Sequence, residues 1–373
     1  MGTPTRGGPG IRLLLVLPAA GLLLLGLNAG LLLLGAPAWL VTDRLPELHA
    51  PLLVLGFLGT LISVERAVAL RVGWAYAAPV LIGWGALLAL TPLPAGIGRG
   101  LVTAGFAVHL WQYRGIWRRQ PMTATAVQAL GALSGLAAAL AWTGGVAAPR
   151  LVPLFAAFLV LTITGERLEL ARVAAPPVAA ERMLFALSLA YATATLLSLT
   201  SAPVAVPASG VLLVGLVGWL LRSDVARTLV RRRGLVRYVA ACLLTGYAWL
   251  AAAGVGWVLG GARTEGAVYD ATTHAVFLGF VMTMIMAHAP IILPAVLRLQ
   301  IPYHRALYAP VALLQLSLLV RVVAGDAWGS IEALRLGGMG AAASLLGFAA
   351  TAAGVAMLAR RDGARERGSD VAA

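Results

Sequence analysis

Lysine is absent from this chain, cysteine occurs once, histidine five times, and charged residues make up only 11% of its 373 positions. A single cysteine, Cys242, excludes an internal disulfide, a CxxCH haem attachment and any cysteine-rich zinc or iron–sulfur site. There is no P-loop, no glycine-rich nucleotide motif following a strand, and no Ser/His/Asp or Cys/His set of nucleophilic type. So little charge, beside 60% hydrophobic residues and a mean hydropathy of +0.90, excludes a soluble domain. What remains is a polytopic membrane protein.

The charge that is present is one-sided. All 28 basic residues are arginine, against 14 acids, for a net charge of +14. In a membrane protein such an excess marks cytoplasmic loops, so no nucleic-acid partner is expected. Arg6 and Arg12 precede an apolar run that ends in Ala36-Pro37-Ala38, which imitates a secretory signal. The run from Leu13 to Gly35 is about twice the length of a signal core and long enough to cross a bilayer, so it is taken as the first span.

Apolar windows fall at 12–35, 47–70, 75–93, 96–113, 121–145, 150–168, 180–200, 207–221, 235–260, 270–297, 303–324 and 331–358. Each is roughly the length a helix needs to cross about 30 Å of hydrocarbon. The expected fold is all-α, with twelve transmembrane helices in one domain over 1–359 and a charged, disordered cytoplasmic tail over 360–373. With the N-terminus inside, only Arg44, Arg99, Arg150, Arg263, Arg321 and Arg335 fall outside, and the other 22 of the 28 basic residues fall inside. Both termini are therefore expected in the cytoplasm and the chain in the cytoplasmic (inner) membrane, with the lipid bilayer as its first partner. Trp39, Trp74, Trp111, Trp117, Trp142, Trp219 and Trp328 sit near window ends, where interfacial anchors belong.

An internal repeat emerges from the spans. The second ends ISVERAVALR (62–71), the sixth ITGERLELAR (163–172) and the tenth MIMAHAPIILPAVLR (284–298). Aligning Glu65, Glu166 and His288 divides the chain into three units of four helices, about 12–113, 121–221 and 235–358. Sites in repeat-built membrane proteins commonly lie between the repeats.

The second span opens LHAPLLVLGFLG at Leu48 and the tenth opens THAVFLGF at Thr273, each with His-Ala followed by Gly-Phe within about two turns. Both spans run from outside to inside, so His49 and His274 share a depth near the outer interface. Imidazoles on two facing helices, flanked by small residues, are a usual way for a bundle to grip a haem iron from both sides. The plainer reading makes each an interfacial residue bonded to water or a carbonyl.

The helix layout resembles the catalytic subunit of haem–copper oxidases, and the HA…GF pattern is similar to the NnrS-like membrane proteins. The first resemblance implies a low-spin haem b on His49 and His274 and a quinol or other electron donor. The second implies a role in nitric oxide stress. The sixth and seventh spans hold no histidine and the tenth lacks a His-x-His pair, so neither a copper site nor an oxygen-reducing haem is implied.

Fourteen residues at about 1.5 Å place His288 about 21 Å below His274 and, at about 100° per step, within roughly 40° of the same face. Glu65, Glu166 and His288 are then expected at one depth near the cytoplasmic face, with His109 close by. One imidazole with two carboxylates suits iron, zinc or manganese, or handles protons. The plainer reading pairs Glu65 and Glu166 with neighbouring arginines and leaves His288 hydrogen-bonded near Pro290. Gly26-Leu-Asn-Ala-Gly30 and Gly131-Ala-Leu-Ser-Gly135 suggest close helix packing. His304 is expected at headgroup level, and RTLVRRRG (227–234) against anionic lipid. No catalytic group follows from these residues. The functional expectation is haem-based electron transfer or diatomic-gas handling. The alternative is a secondary transporter using the intramembrane His and Glu side chains.

Overall fold

The computed structural model describes residues 9–171, 177–297 and 302–372. Arg6, Arg172 and Arg298 lie outside them. All regular structure among the described residues is helical. Eight helices are long and apolar enough to cross a membrane. They are α2 (Leu45–Leu70), α5 (Thr123–Thr143), α6 (Ala148–Leu170), α7 (Val178–Ser223), α9 (Leu235–Gly260), α10 (Gly266–Ile292), α11 (Arg305–Ala327) and α12 (Ile331–Ala359). α1 (Pro9–Leu33) precedes them, and between them lie α3 (Gly73–Leu88, opening in a 3₁₀ turn), α4 (Ala95–Arg119) and the one-turn α8 (Ala226–Leu229). The backbone of α12 continues as helix to Ala372, through residues whose charge pointed to disorder.

The seventh and eighth windows, expected as separate helices, are two helices that follow one another across a kink within α7. With 46 residues, α7 is about twice the length that one bilayer crossing needs. Ser201 breaks its course with φ −133° and ψ 48°, ahead of Pro203 and Pro207. Pro203 has no N–H to give the carbonyl of Leu199, and Arg150 Nη2 donates to that carbonyl instead, at 3.4 Å.

Helix α6 lies at the centre, with residues from Leu151 to Leu161 almost wholly shielded. Small residues bring its neighbours close, as the GxxxG pattern of α5 suggested: a Cβ on Gly131 would meet the carbonyl of Phe158 at 2.8 Å. The same device joins α3 to α4, where a Cβ on Gly98 would meet the amide of Ala89 at 2.5 Å. Two of the tryptophans expected as interfacial anchors are buried instead. Trp219 donates Nε1–H to the carbonyl of Ala180 at 2.9 Å, and Trp142 packs beneath the guanidinium of Arg99, 5.1 Å from its ring centre. Helix–helix contact takes these two out of the lipid interface.

Candidate functional site

Helices α1, α2, α10, α11 and α12 enclose a cavity of about 280 Å³. His49 and His274 both line it. Its walls are otherwise largely apolar, with Leu27, Leu31 and Leu53 on one side and Phe277, Leu278 and Met282 on another.

Each histidine stands where its helix widens. Below His49, α2 passes into a π-helical stretch, Leu52–Leu58, directly after Pro51, which has no N–H to continue the α-helical ladder. Below His274, α10 does the same over Ala275–Met282. A third π stretch, Val320–Ala327, carries Arg321 to the same cavity. Wide turns of this kind are rare and concentrate at functional sites.

The imidazoles are oriented by backbone carbonyls. His49 Nδ1 lies 2.8 Å from the carbonyl oxygen of Gly26, and His274 Nδ1 lies 2.8 Å from that of Asp270. A carbonyl oxygen only accepts, so each Nδ1 carries the proton and each Nε2 keeps its lone pair. Among the described residues no hydrogen bond is made to either Nε2. The carboxylate of Asp270 also approaches His274 Nδ1, at 3.3 Å, and Arg321 clamps that carboxylate through Nε and Nη2, both at 2.7 Å. Asp326, on the same π stretch as Arg321, has a buried Oδ2 without a hydrogen-bond partner.

The GLNAG segment of α1 has three tasks. The carbonyl of Gly26 receives His49, and Gly30 seats its ring, since a Cβ there would lie 2.7 Å from Cε1 and 3.1 Å from Nδ1. Asn28, fully buried, accepts from the amides of Trp39 and Leu40 at 2.9 and 3.2 Å and donates to the Leu40 carbonyl at 2.6 Å, fastening the loop between α1 and α2. The spacing suggested helix packing alone.

On the other half of α2 and α10 lies a second polar group. Arg66 Nη2 contacts Glu166 Oε1 at 2.5 Å and Glu65 Oε1 at 3.3 Å, while Nη1 donates to Gln128 at 3.4 Å. Arg167 Nη1 donates to His288 Nε2 at 3.0 Å, and its Nε faces Asp224 at 3.4 Å. His288 Nδ1–H is given to the carbonyl of Met284 at 2.8 Å, and Tyr247 donates to Asp224 at 2.6 Å. Glu65 and Glu166 thus share Arg66, His288 belongs to a separate group with Arg167 and Asp224, and each of the three faces an arginine. Arg66 occupies both carboxylates and Arg167 takes the imidazole lone pair. Among the described residues no group of three His, Cys, Asp or Glu side chains is placed to hold a metal ion. His109 is buried beside it, with Nδ1 2.8 Å from Gln112 Oε1. His304 accepts from the amide of Ala306 at 3.1 Å and caps a 3₁₀ turn.

Residues 12–357 match a protein-family model described as a domain of unknown function (DUF8744). The chain belongs to that family. A comparison with curated proteins gives no match. The family region contains both histidines and every helix around the cavity.

The residues present fit a haem in three respects. Two imidazoles offer Nε2 lone pairs, their Nδ1 protons are committed to carbonyls as in well-ordered metal-binding histidines, and the cavity wall is apolar. The volume of about 280 Å³ is close to the low end of the range for ligand pockets, roughly 300 Å³. Asp270 and Arg321 were not singled out from sequence. The Asp-x-x-x-His spacing of 270–274, neighbours on one helix face, was the available signal for the first.

Proposed function

We propose that this is a multi-pass haem protein of the cytoplasmic membrane, holding haem b between His49 and His274. In this reading the chain spans twelve times. The eight long helices are joined by α1, α3 and α4, and α7 is counted twice at its Ser201 kink. Both termini are cytoplasmic, by the arginine distribution, and the spans fall into three four-helix units resembling the haem–copper oxidase layout without its copper site.

The observation that carries the proposal is the convergence of two matching His-Ala segments, remote in sequence, on one cavity with both Nε2 lone pairs uncommitted. Haem bound there would supply a one-electron iron centre, suited to electron transfer from a quinol or similar donor, or to sensing or handling nitric oxide or another diatomic gas. The chain's own residues supply orientation and an apolar wall. The carbonyls of Gly26 and Asp270 set the imidazole tautomers, and leucines line much of the cavity.

The test is a visible spectrum of detergent-purified protein produced with ample haem, oxidised and dithionite-reduced, beside His49→Ala and His274→Ala. A sharp low-spin b-type spectrum that both substitutions abolish or convert to high spin is expected. A folded wild type that takes up no haem refutes the reading and favours the transporter alternative.

Gly30→Ala supplies a finer check. The new methyl has to displace the His49 ring from the Gly26 carbonyl. Loss of an orienting partner weakens metal binding about 10–100-fold, and a drop of at least tenfold in haem affinity is expected by titration, with helicity unchanged. An unaltered titration would show that the ring yields without cost.

A further inference from the structure

We propose that the two histidines are unequal ligands, His274 being the anchored one and His49 the one that yields its coordination position to a small diatomic gas. This rests on the haem reading above and resolves a tension within it, because two permanent imidazoles would leave a gas nowhere to bind.

The inequality is built into what stands behind each ring. His274 gives its Nδ1–H toward both the carbonyl and the carboxylate of Asp270, at 2.8 and 3.3 Å. Arg321, itself only 6% exposed, holds that carboxylate by two bonds of 2.7 Å, so it cannot swing away. An anionic acceptor on Nδ1–H raises the donor strength of Nε2 and fixes the ring. A second carboxylate, Asp326, sits five residues beyond Arg321 on the same π stretch, its Oδ2 unpartnered.

His49 has one neutral partner, the carbonyl of Gly26, and a bare glycine at its back. Around it the cavity is lined by Leu27, Leu31, Leu34 and Leu53, which accept an uncharged gas and repel ions. With haem held here, His49 would be the residue to give up its place on the iron and His274 the residue to keep its own, the iron exchanging the His49 Nε2 lone pair for that of the gas. Nε2 keeps its lone pair, Nδ1–H stays on the Gly26 carbonyl, and no electron or proton changes hands.

The experiment uses haem-loaded full-length protein in detergent with carbon monoxide as the probe, comparing wild type, His49→Gly and His274→Gly. In His49→Gly, haem is expected to remain as a high-spin form that binds carbon monoxide at least tenfold faster than wild type. Added imidazole should return it to the low-spin spectrum, which shows the site still built. In His274→Gly, haem affinity is expected to fall at least tenfold below that of His49→Gly. Asp270→Asn with Arg321→Gln removes the carboxylate without stranding the guanidinium, and should weaken haem binding by about 10–100-fold. Retention by His274→Gly with loss from His49→Gly reverses the assignment. Equal losses, with an unchanged carbon monoxide rate, overturn the inequality. A wild type that binds no haem at all removes the haem reading and this proposal together, and the wild-type spectrum alone tells that case apart.

Discussion

Replacing Arg66 with methionine is expected to lower the stability of the folded protein by about 3–5 kcal/mol, the cost of breaking a buried ion pair by removing one partner. Arg66 is the cation shared by Glu65 and Glu166, and its side chain is 10% exposed against 32% and 29% for theirs. Methionine matches the stem of arginine and leaves the two carboxylates without the cation they share. It also strips Gln128 Oε1 of its donor. Equilibrium unfolding in mixed detergent, followed by helicity, measures the loss. Glu166→Gln added to the Arg66→Met background should recover a substantial part, because it removes the stranded charge rather than restoring a bond. A single variant within 1 kcal/mol of wild type would show that these exposures let water do the work assigned to the guanidinium.

The second large effect concerns ligand linkage. A molecule that binds only the folded state stabilises it in proportion to the logarithm of its concentration over the dissociation constant, by about 4 kcal/mol at a thousandfold excess. Haem at that ratio is expected to raise the unfolding free energy of wild type by this amount and to leave that of the His49→Ala/His274→Ala double variant almost unmoved. The double variant keeps the cavity and the Asp270–Arg321 pair, so it isolates ligation from packing. A shift of the same size in both proteins would place haem somewhere other than between these imidazoles.

Much of the fold was legible in the residues because membrane insertion reads local properties. An apolar stretch near 20 residues has to satisfy its backbone internally, and a helix is the local way to do so. Hence the helical class and most window positions follow from hydropathy. The paired HA…GF segments and the aligned Glu65, Glu166 and His288 follow from counting along single helices. Local counting also put a boundary between the seventh and eighth windows, where the non-helical backbone of Ser201 kinks the chain, but it left Trp142 and Trp219 at an interface that helix packing covers.

By itself, then, the sequence determined that this protein is a bundle of apolar helices, with His49 and His274 in matching segments and Glu65, Glu166 and His288 at matching positions farther along their helices. Only the tertiary structure decided what those groups meet. It brought α2 and α10, over 200 residues apart, to one cavity, set Gly26 and Gly30 behind His49, and put Asp270 with Arg321 behind His274. It also placed Arg66 and Arg167 where a metal ion had been expected. The reason is that periodicity specifies which face of a helix a residue occupies, whereas the identity of the opposing face depends on close approach between distant helices, through small residues whose partners no single stretch contains.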